Sequence, residues 1–322
     1  MNNWLAPEGV QAPDFIIVGA MKSGTTTMHA ILNKHPDIFI PDKEVHFYDM
    51  DNILQHPDFN DFDGDWESHS IDNNPAAYWQ WYASRFSQAN KSQLIGEDST
   101  TYLASEVAAK RIAFQTKSTK IIVMLRQPSA RAYSQYWHMV RTGRAKYSFE
   151  KTLQYEPYSL LNRSLYREQI ERLFKYIPKK RVKFVIFEEF LKDKAQCITQ
   201  VCEFLNVAAD ELPSKAMDLH ENLTTYPKFI QLELIKNRLF PHLANIGYTD
   251  HFSLDQNKLK KITLDRVFNF IYRKINPLVN VKPDKIKTST QTFLDSFFIK
   301  ELEGLNELIE KDVYAIWFNS KQ

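Results

Sequence analysis

A chain of 322 residues is long enough for one large domain or two small ones, and 41 Lys and Arg against 39 Asp and Glu leave a formal charge of only +2. That balance removes any whole-molecule electrostatic case for nucleic acid or an anionic membrane as partner. Hydrophobic residues at 43% supply a real core, and the two cysteines, Cys197 and Cys202, exclude a disulfide framework and a CxxC metal or redox pattern.

Residues 1–13 read as a loose leader, without the basic and apolar regions of a secretory signal. No apolar run approaches the roughly 18–20 residues that span a bilayer, so the expectation is a soluble, cytoplasmic protein. Phe15 to Val18, closed by Gly19, predicts a buried strand. Met28, Ile31 and Leu32 then give helical spacing, with Pro36 marking the end. Residues 45–74 are irregular, acidic and aromatic, and 75–88 predict a helix with Pro75 in its first turn. Leu94-Ile95 is a short strand running into Glu97-Asp98-Ser99-Thr100, followed by a helix over about 102–115. Lys120 to Leu125 is the second strong buried strand, and Pro128 opens a helix with Ala132, Tyr136 and Met139 on one face. A helix over 164–176, a strand over 182–187 and a helix near 194–205 follow, and from about 226 the chain is mostly helical. Strands alternating with helices predict an α/β fold with a central, mainly parallel sheet, helices on both faces and a helical C-terminal third. We read one domain over 1–322, with the α/β core in 14–210 and the mostly helical part in 220–322.

Glycine is scarce, at 8 residues, yet two fall in one strand-to-helix loop, Gly19-Ala20-Met21-Lys22-Ser23-Gly24-Thr25-Thr26-Thr27. Unpaired N–H groups at a helix start, the helix dipole, three Thr hydroxyls and the Lys22 charge together suit a phosphate or sulfate. The loop is P-loop-like without being a Walker A motif: Thr25 stands where Lys should follow the second Gly, and Lys22 precedes Gly24 by two. Nor is it a dinucleotide fingerprint, whose second glycine is missing.

This loop, then His35-Pro36 and Pro41-x-Lys43-Glu44-x-His46-Phe47, resembles the sulfotransferases that use 3′-phosphoadenylyl sulfate (PAPS). A second block, Arg126-Gln127-Pro128-x-x-Arg131-Ala132-x-Ser134-x-Tyr136-x-His138, is similar to the RDPxxRAxSxYxH pattern of the same family, in the branch of heparan-sulfate and many bacterial enzymes. Leu165-Tyr166 with Gln169 and Leu173, Phe187 to Leu191, Asn222 with Tyr226-Pro227-Lys228, and the terminal LNELIEKDVYAIW show weaker similarity. Two departures stand out. Gln127 replaces an aspartate, and Asp98 stands where the heparan branch often has a second active-site lysine.

The resemblance implies in-line sulfuryl transfer, in which the protein contributes positioning and electrostatic stabilisation. It implies Lys22 on the leaving 5′-phosphate oxygen, with Ser23, Gly24, Thr25, Thr26 and Thr27 holding the phosphosulfate. Arg126 and Ser134 would contact the 3′-phosphate, Tyr166 and Lys228 would add nucleotide contacts, and adenosine 3′,5′-bisphosphate would be the product. Arg131 is either a further contact or a helix-surface ion pair. No metal is expected. Glu44 occupies the position of the general base, with His46 either the alternative base or a packed residue that orients the loop. Glu97 and Asp98 either face the same cleft or cap a helix around Ser99 to Thr101. The other histidines, His56 among them, show no ligand spacing.

Residues 45–84 contain no Lys or Arg, but carry Asp49, Asp51, Asp58, Asp61, Asp63, Asp65, Glu67 and Asp72 among many aromatics. An acidic, aromatic lip beside Glu44 predicts a small-molecule acceptor, cationic or polar, such as a guanidinium alkaloid of the saxitoxin type. A heparan-type polyanion would need a basic cleft, which the stretch from Lys258 to Lys287 would have to line. The rival readings are a glycan sulfotransferase, a P-loop kinase, for which no Gly-Lys-Ser/Thr is present, and a non-catalytic nucleotide binder.

Overall fold

The computed structural model describes residues 2–59, 61–62, 65–66, 69–219, 225–244, 264–281 and 284–318. The chain runs β1 (Phe15–Gly19), α1 (Thr25–Leu32), β2 (Ile38–Phe39), β3 (Asp61–Phe62), β4 (Asp65–Trp66), α2 (Pro75–Ser84), β5 (Leu94–Asp98), α3 (Ala108–Ala113), β6 (Lys120–Leu125) and α4 (Pro128–Arg141). It continues through α5 (Phe149–Tyr155), α6 (Pro157–Leu161), α7 (Tyr166–Phe174), β7 (Val182–Ile186), α8 (Phe187–Lys192) and α9 (Lys194–Leu205). The C-terminal part holds β8 (Tyr226–Pro227), α10 (Ile230–Leu239), α11 (Leu264–Ile275), β9 (Leu278–Val279), α12 (Thr288–Glu301), α13 (Leu305–Ile309) and α14 (Val313–Trp317).

The main sheet has the order β2-β5-β1-β6-β7, and its pairs are all parallel. The alternation of β1 sorts its side chains between two cores. Ile16 and Val18 pack with Tyr82, Tyr102 and Tyr166 on one face. Phe15 and Ile17 pack with Met28, Ile31, Phe190 and Ile198 on the other. Both faces are therefore covered, which explains the uninterrupted apolar runs of β1 and β6. The C-terminal ends of β5, β1 and β6 open onto one crevice, where ligands bind in open α/β sheets.

The expected α/β fold with its helical C-terminal third is what the chain adopts, with local differences. The strand expected at Leu94-Ile95 extends to Asp98, because Gly96 lets the Phe15 ring sit where a Cβ would lie 2.3 Å away. The helix expected over 102–115 shrinks to Ala108–Ala113. Tyr102 is held inward by its phenol, which donates to Glu97 at 2.6 Å and accepts from the Tyr48 N–H at 2.9 Å. Within 45–74, Phe47, Tyr48, Phe59 and Ile71 are core residues. β2 and the short helices α5 and α6 had no strong periodicity to announce them.

Candidate active site

The loop after β1 is shaped by its two glycines. Gly19 has φ +129°, and a Cβ there would lie 2.6 Å from the Thr100 carbonyl oxygen. Gly24 caps α1 at φ +91°, and a Cβ there would lie 2.8 Å from the Phe187 ring. Any other residue at either position meets both backbone strain and a clash. Between them Ala20 N–H donates to the Met124 carbonyl at 2.7 Å, Ser23 N–H donates to the Ala20 carbonyl at 3.1 Å, and Lys22 takes a left-handed φ of 69°. The first-turn N–H groups of α1 at Thr25 and Thr26 thus lie at the sheet edge, where an anion is favoured, while Thr27 N–H donates to the Gly24 carbonyl at 3.1 Å.

Cations crowd this loop. Burial lowers the Lys22 pKa to about 8, and Arg141, Arg131 and Arg126 push it the same way. Lys22 Nζ lies 3.4 Å from His138 Nδ1, and an Arg141 nitrogen lies 3.5 Å from the same atom. Lysine and arginine only donate, so Nδ1 is an acceptor and His138 is neutral. Burial and these cations lower its pKa to about 3. Ser134 lies one turn before His138 on α4, on the face that meets Lys22.

Arg126 donates to the Lys22 carbonyl at 3.1 Å and stacks 4.7 Å above the Phe187 ring. Arg131 is neither a surface ion pair nor a solvent-facing contact. It is fully buried and donates to Ser164 and the Leu160 carbonyl, tying α4 to the segment before α7. Tyr166 is also committed: its phenol donates to the Arg126 carbonyl at 2.8 Å, fixing the end of β6. Lys228 is exposed, with Nζ 5.3 Å from the Phe229 ring. The aspartate missing at Gln127 is compensated. Gln127 caps α4 through Ala130 N–H at 2.6 Å and donates to Asp295 at 2.7 Å, while Glu188 accepts the Gln127 N–H at 2.9 Å.

Across the crevice stands Glu44. Its Oε2 lies 2.8 Å from His46 Nε2 and accepts from the Thr100 hydroxyl at 2.9 Å and Thr100 N–H at 3.4 Å. Oε1 has no hydrogen bond among the described residues, so the carboxylate has one loaded and one open oxygen. Burial pushes Glu44 up, but His46 and the two Thr100 hydrogen bonds together outweigh it and hold the carboxyl well below its usual range. His46 is buried, and its N–H donates to the Ser99 hydroxyl at 2.9 Å.

Glu97 and Asp98 do not cap a helix. Glu97 is fully buried and accepts from Tyr82 at 2.8 Å, Tyr102 at 2.6 Å and Ser99 at 2.8 Å. Asp98 points to the other face of the sheet and lies 3.2 Å from His29 Nδ1 on α1. Burial raises its pKa, and the nearby Glu44 raises it further.

The acidic lip is in part an interior. Asp49 is buried against His56 at 2.8 Å, and Asp51 pairs with Arg111 at 2.5 Å. Phe47, Tyr48, Trp79 and Tyr82 stack in the core. The side chains of Asp58, Asp61, Asp63, Asp65 and Glu67 lie outside the described residues, as do Asn222 and residues 258–263 and 282–283 of the basic stretch. Sequence reasoning missed His56, Thr101 and Arg163. Arg163 donates to Gln55 at 3.1 Å and approaches the Met21 sulfur of the loop at 2.7 Å. Gln55 also lines a cleft of about 250 Å³ with Asn52, Ala104, Asn162, Gln169 and Arg172.

Comparison with known proteins agrees with this geometry. Residues 13–211 match the family described as the sulfotransferase family. Heparan sulfate glucosamine 3-O-sulfotransferase 5 of Mus musculus is 27% identical over 209 residues, covering 61% of this chain and 54% of that protein. The membrane-associated sulfotransferase kil1 of Dictyostelium discoideum is 31% identical over 153 residues, 45% of this chain and 28% of its own. The chain spans about half the length of the curated heparan sulfate relatives it matches. A sulfotransferase crystal structure from Alicyclobacillus acidocaldarius superposes with a TM-score of 0.60 at 24% identity, over 94% of this chain and 98% of that one. Among the described residues no helix is long and apolar enough to cross a membrane.

Proposed function

The chain belongs to the sulfotransferase family, and we propose that it moves the sulfuryl group of PAPS to a hydroxyl or nitrogen of a small, polar or cationic metabolite. The observation that carries this reading is the opposition of Lys22, crowded by Arg126, Arg131 and Arg141, to the open Oε1 of Glu44 across one crevice. Four cations beside a helix N-terminus, outnumbering their carboxylate neighbours Glu44 and Glu188, make a site for a multiply charged anion. The 5′-phosphosulfate lies on residues 23–27, and Arg126 and Ser134 take the 3′-phosphate. Tyr166 holds Arg126 in place, and Lys228 closes over the nucleotide. As the acceptor oxygen or nitrogen bonds to sulfur, the bridging S–O bond breaks and its electron pair goes to the 5′-phosphate oxygen beside Lys22. Glu44 Oε1 takes the acceptor proton. No residue in this scheme requires a metal.

Support for a polar or cationic acceptor comes from Asp98, an anionic neighbour of Glu44. The named heparan sulfate relatives favour a glycan instead, and a saxitoxin-type alkaloid stays one candidate among cationic acceptors. A cytoplasmic setting belongs to the same reading, consistent with two free thiols. The test is PAPS-dependent transfer of labelled sulfate to heparan fragments, amino sugars and guanidinium alkaloids in competition. Glu44→Gln should abolish transfer with adenosine 3′,5′-bisphosphate still bound. Efficient sulfation of heparan alone would move the acceptor to the glycan class, and an active Glu44→Gln would remove the base.

A further inference from the structure

Behind Glu44 the hydrogen bonds continue inward in one unbroken line. His46 Nδ1 lies 3.0 Å from Thr101 Oγ1. Thr101 Oγ1 lies 3.1 Å from His56 Nε2, and His56 Nε2 lies 2.8 Å from Asp49 Oδ1. His46, Asp49, His56 and Thr101 are all at least nine-tenths buried. The His56 ring stacks on Phe59 at 4.2 Å.

The direction of the protons follows from counting them. Asp49 only accepts when ionised, so His56 Nε2 carries a hydrogen and donates it to Asp49 and, bifurcated, to Thr101. Burial lowers the His56 pKa, which keeps that ring neutral. With its oxygen accepting from His56, Thr101 has one place for its own hydrogen, His46 Nδ1. His46 Nδ1 is then an acceptor, and Nε2–H is the donor that loads Glu44 Oε2. From His56 the donation runs through Thr101 and His46 to Glu44, and Asp49 anchors its far end.

We infer that Thr101, His56 and Asp49 are positioning residues that hold His46 as the neutral Nε2–H imidazole, leaving Glu44 Oε1 a competent base. The inference rests on the reading of Glu44 as base. The network opposes a strong field. Glu44, Asp49, Asp98 and Glu97 all lie near enough to His46 to favour an imidazolium, while His56, with Arg163 beyond it, lies on the far side. An imidazolium beside Glu44 makes its carboxyl too weak a base for an alcohol or amine. A hydroxyl already donating to Nδ1 withholds the acceptor that a second ring proton would need.

The three ligand atoms of His46, Asp49 and His56 fall within 4.8 Å of one another, so a bound cation is the competing account. The experiment is a pH titration of the full chain labelled with ¹⁵N-histidine, with long-range ¹H–¹⁵N spectra reading the tautomer. The expected result is that neutral His46 is the Nε2–H form. In His56→Leu its titration should move up by about one pH unit or more, a tenfold or larger change in proton affinity. The double variant His56→Leu/Asp49→Asn, which leaves no uncompensated buried carboxylate, should move up by less. His56→Gln, which keeps an N–H toward Asp49, should titrate as the parent does. A neutral Nδ1–H form, an unchanged titration in both leucine variants, or a metal whose removal by chelator shifts the His46 and His56 signals would overturn the inference. Failure of the base assignment is read separately, because an active Glu44→Gln leaves the His46 tautomer untouched.

Discussion

The two walls of the crevice are built on opposite electrostatic plans. On the donor wall Lys22, Arg126, Arg131 and Arg141 repel one another, and burial adds to the cost. On the acceptor wall Glu44, His46, Asp49 and His56 are linked by short hydrogen bonds, and Glu97 is satisfied by three hydroxyls. The donor wall is incomplete without an anion. The acceptor wall keeps its hydrogen bonds within itself, and besides the open oxygen of Glu44 it buries Asp49 Oδ2 and Asp98 Oδ1 without a hydrogen bond among the described residues. What one wall gathers is positive charge; what the other leaves open is carboxylate oxygen.

The sharpest way to break this contrast is to neutralise one member of each wall. Glu44→Gln should lower turnover by roughly 10²–10⁴-fold, with equilibrium binding of adenosine 3′,5′-bisphosphate unchanged by calorimetry. Lys22→Ala should lower turnover by about 10²–10³-fold and weaken product binding far less, because its main partner is the charge that develops on the leaving oxygen. Equal losses in binding and rate would place Lys22 in ground-state recognition.

Thermal unfolding should distinguish the walls next. Adenosine 3′,5′-bisphosphate at 100 times its Kd should stabilise the protein by about 2.7 kcal/mol. At the same ligand concentration Arg126→Ala should lose most of that gain, and Glu44→Gln should keep it. Tyr102→Phe removes a donor to buried Glu97 and should cost about 1–3 kcal/mol without ligand, as measured by urea unfolding.

The smallest effects are in pH. Lys22 has a folded pKa of about 8 against 10.5 unfolded, so the unfolded chain binds more protons between those values and stability rises with pH across them. Glu44 runs the other way. Its folded pKa lies below the ordinary 4.5, so its contribution is present above 4.5 and is lost as pH falls through the folded value. In the free enzyme kcat/KM for the donor should fall above about pH 8 as Lys22 deprotonates, and Lys22→Arg should remove that limb. A stability profile without the rise above pH 8 would show that the donor wall is not strained.

The donor wall was largely legible in the sequence, because its devices are local. Two of eight glycines in one loop, a lysine between them and three threonines at a helix start are consecutive residues. The acceptor wall was not, because its partners meet only through the fold. His46 reaches Thr101 across 55 positions and His56 reaches it across 45. No spacing rule connects them, and His56 looked like an isolated histidine. The same limit hid Glu97, whose companions Tyr82 and Tyr102 lie in two separate segments. Residues 45–59 misled for a related reason. Their acidity and aromatic content read as a surface, yet Asp49 is a hydrogen-bond partner of His56, Asp51 is the counterion of Arg111, and the rings fill the core. At Gln127 the departure from the familiar pattern was visible, but not the Asp295 and Glu188 that absorb it from distant helices.

Phe187 makes the two ends of the nucleotide site one mechanical piece. Its ring leaves no room for a Cβ on Gly24 and carries the Arg126 guanidinium 4.7 Å above it. Arg126 in turn grips the Lys22 carbonyl. The proposed anchor for the 3′-phosphate and the proposed cradle for the sulfuryl group therefore share one support, and a shift at one end is felt at the other. A donor without the 3′-phosphate would leave Arg126 slack and Lys22 imperfectly aimed. Such a donor should bind and yet react slowly, so the protein would tell PAPS from its 3′-dephospho analogue by how fast it fires rather than by how tightly it holds.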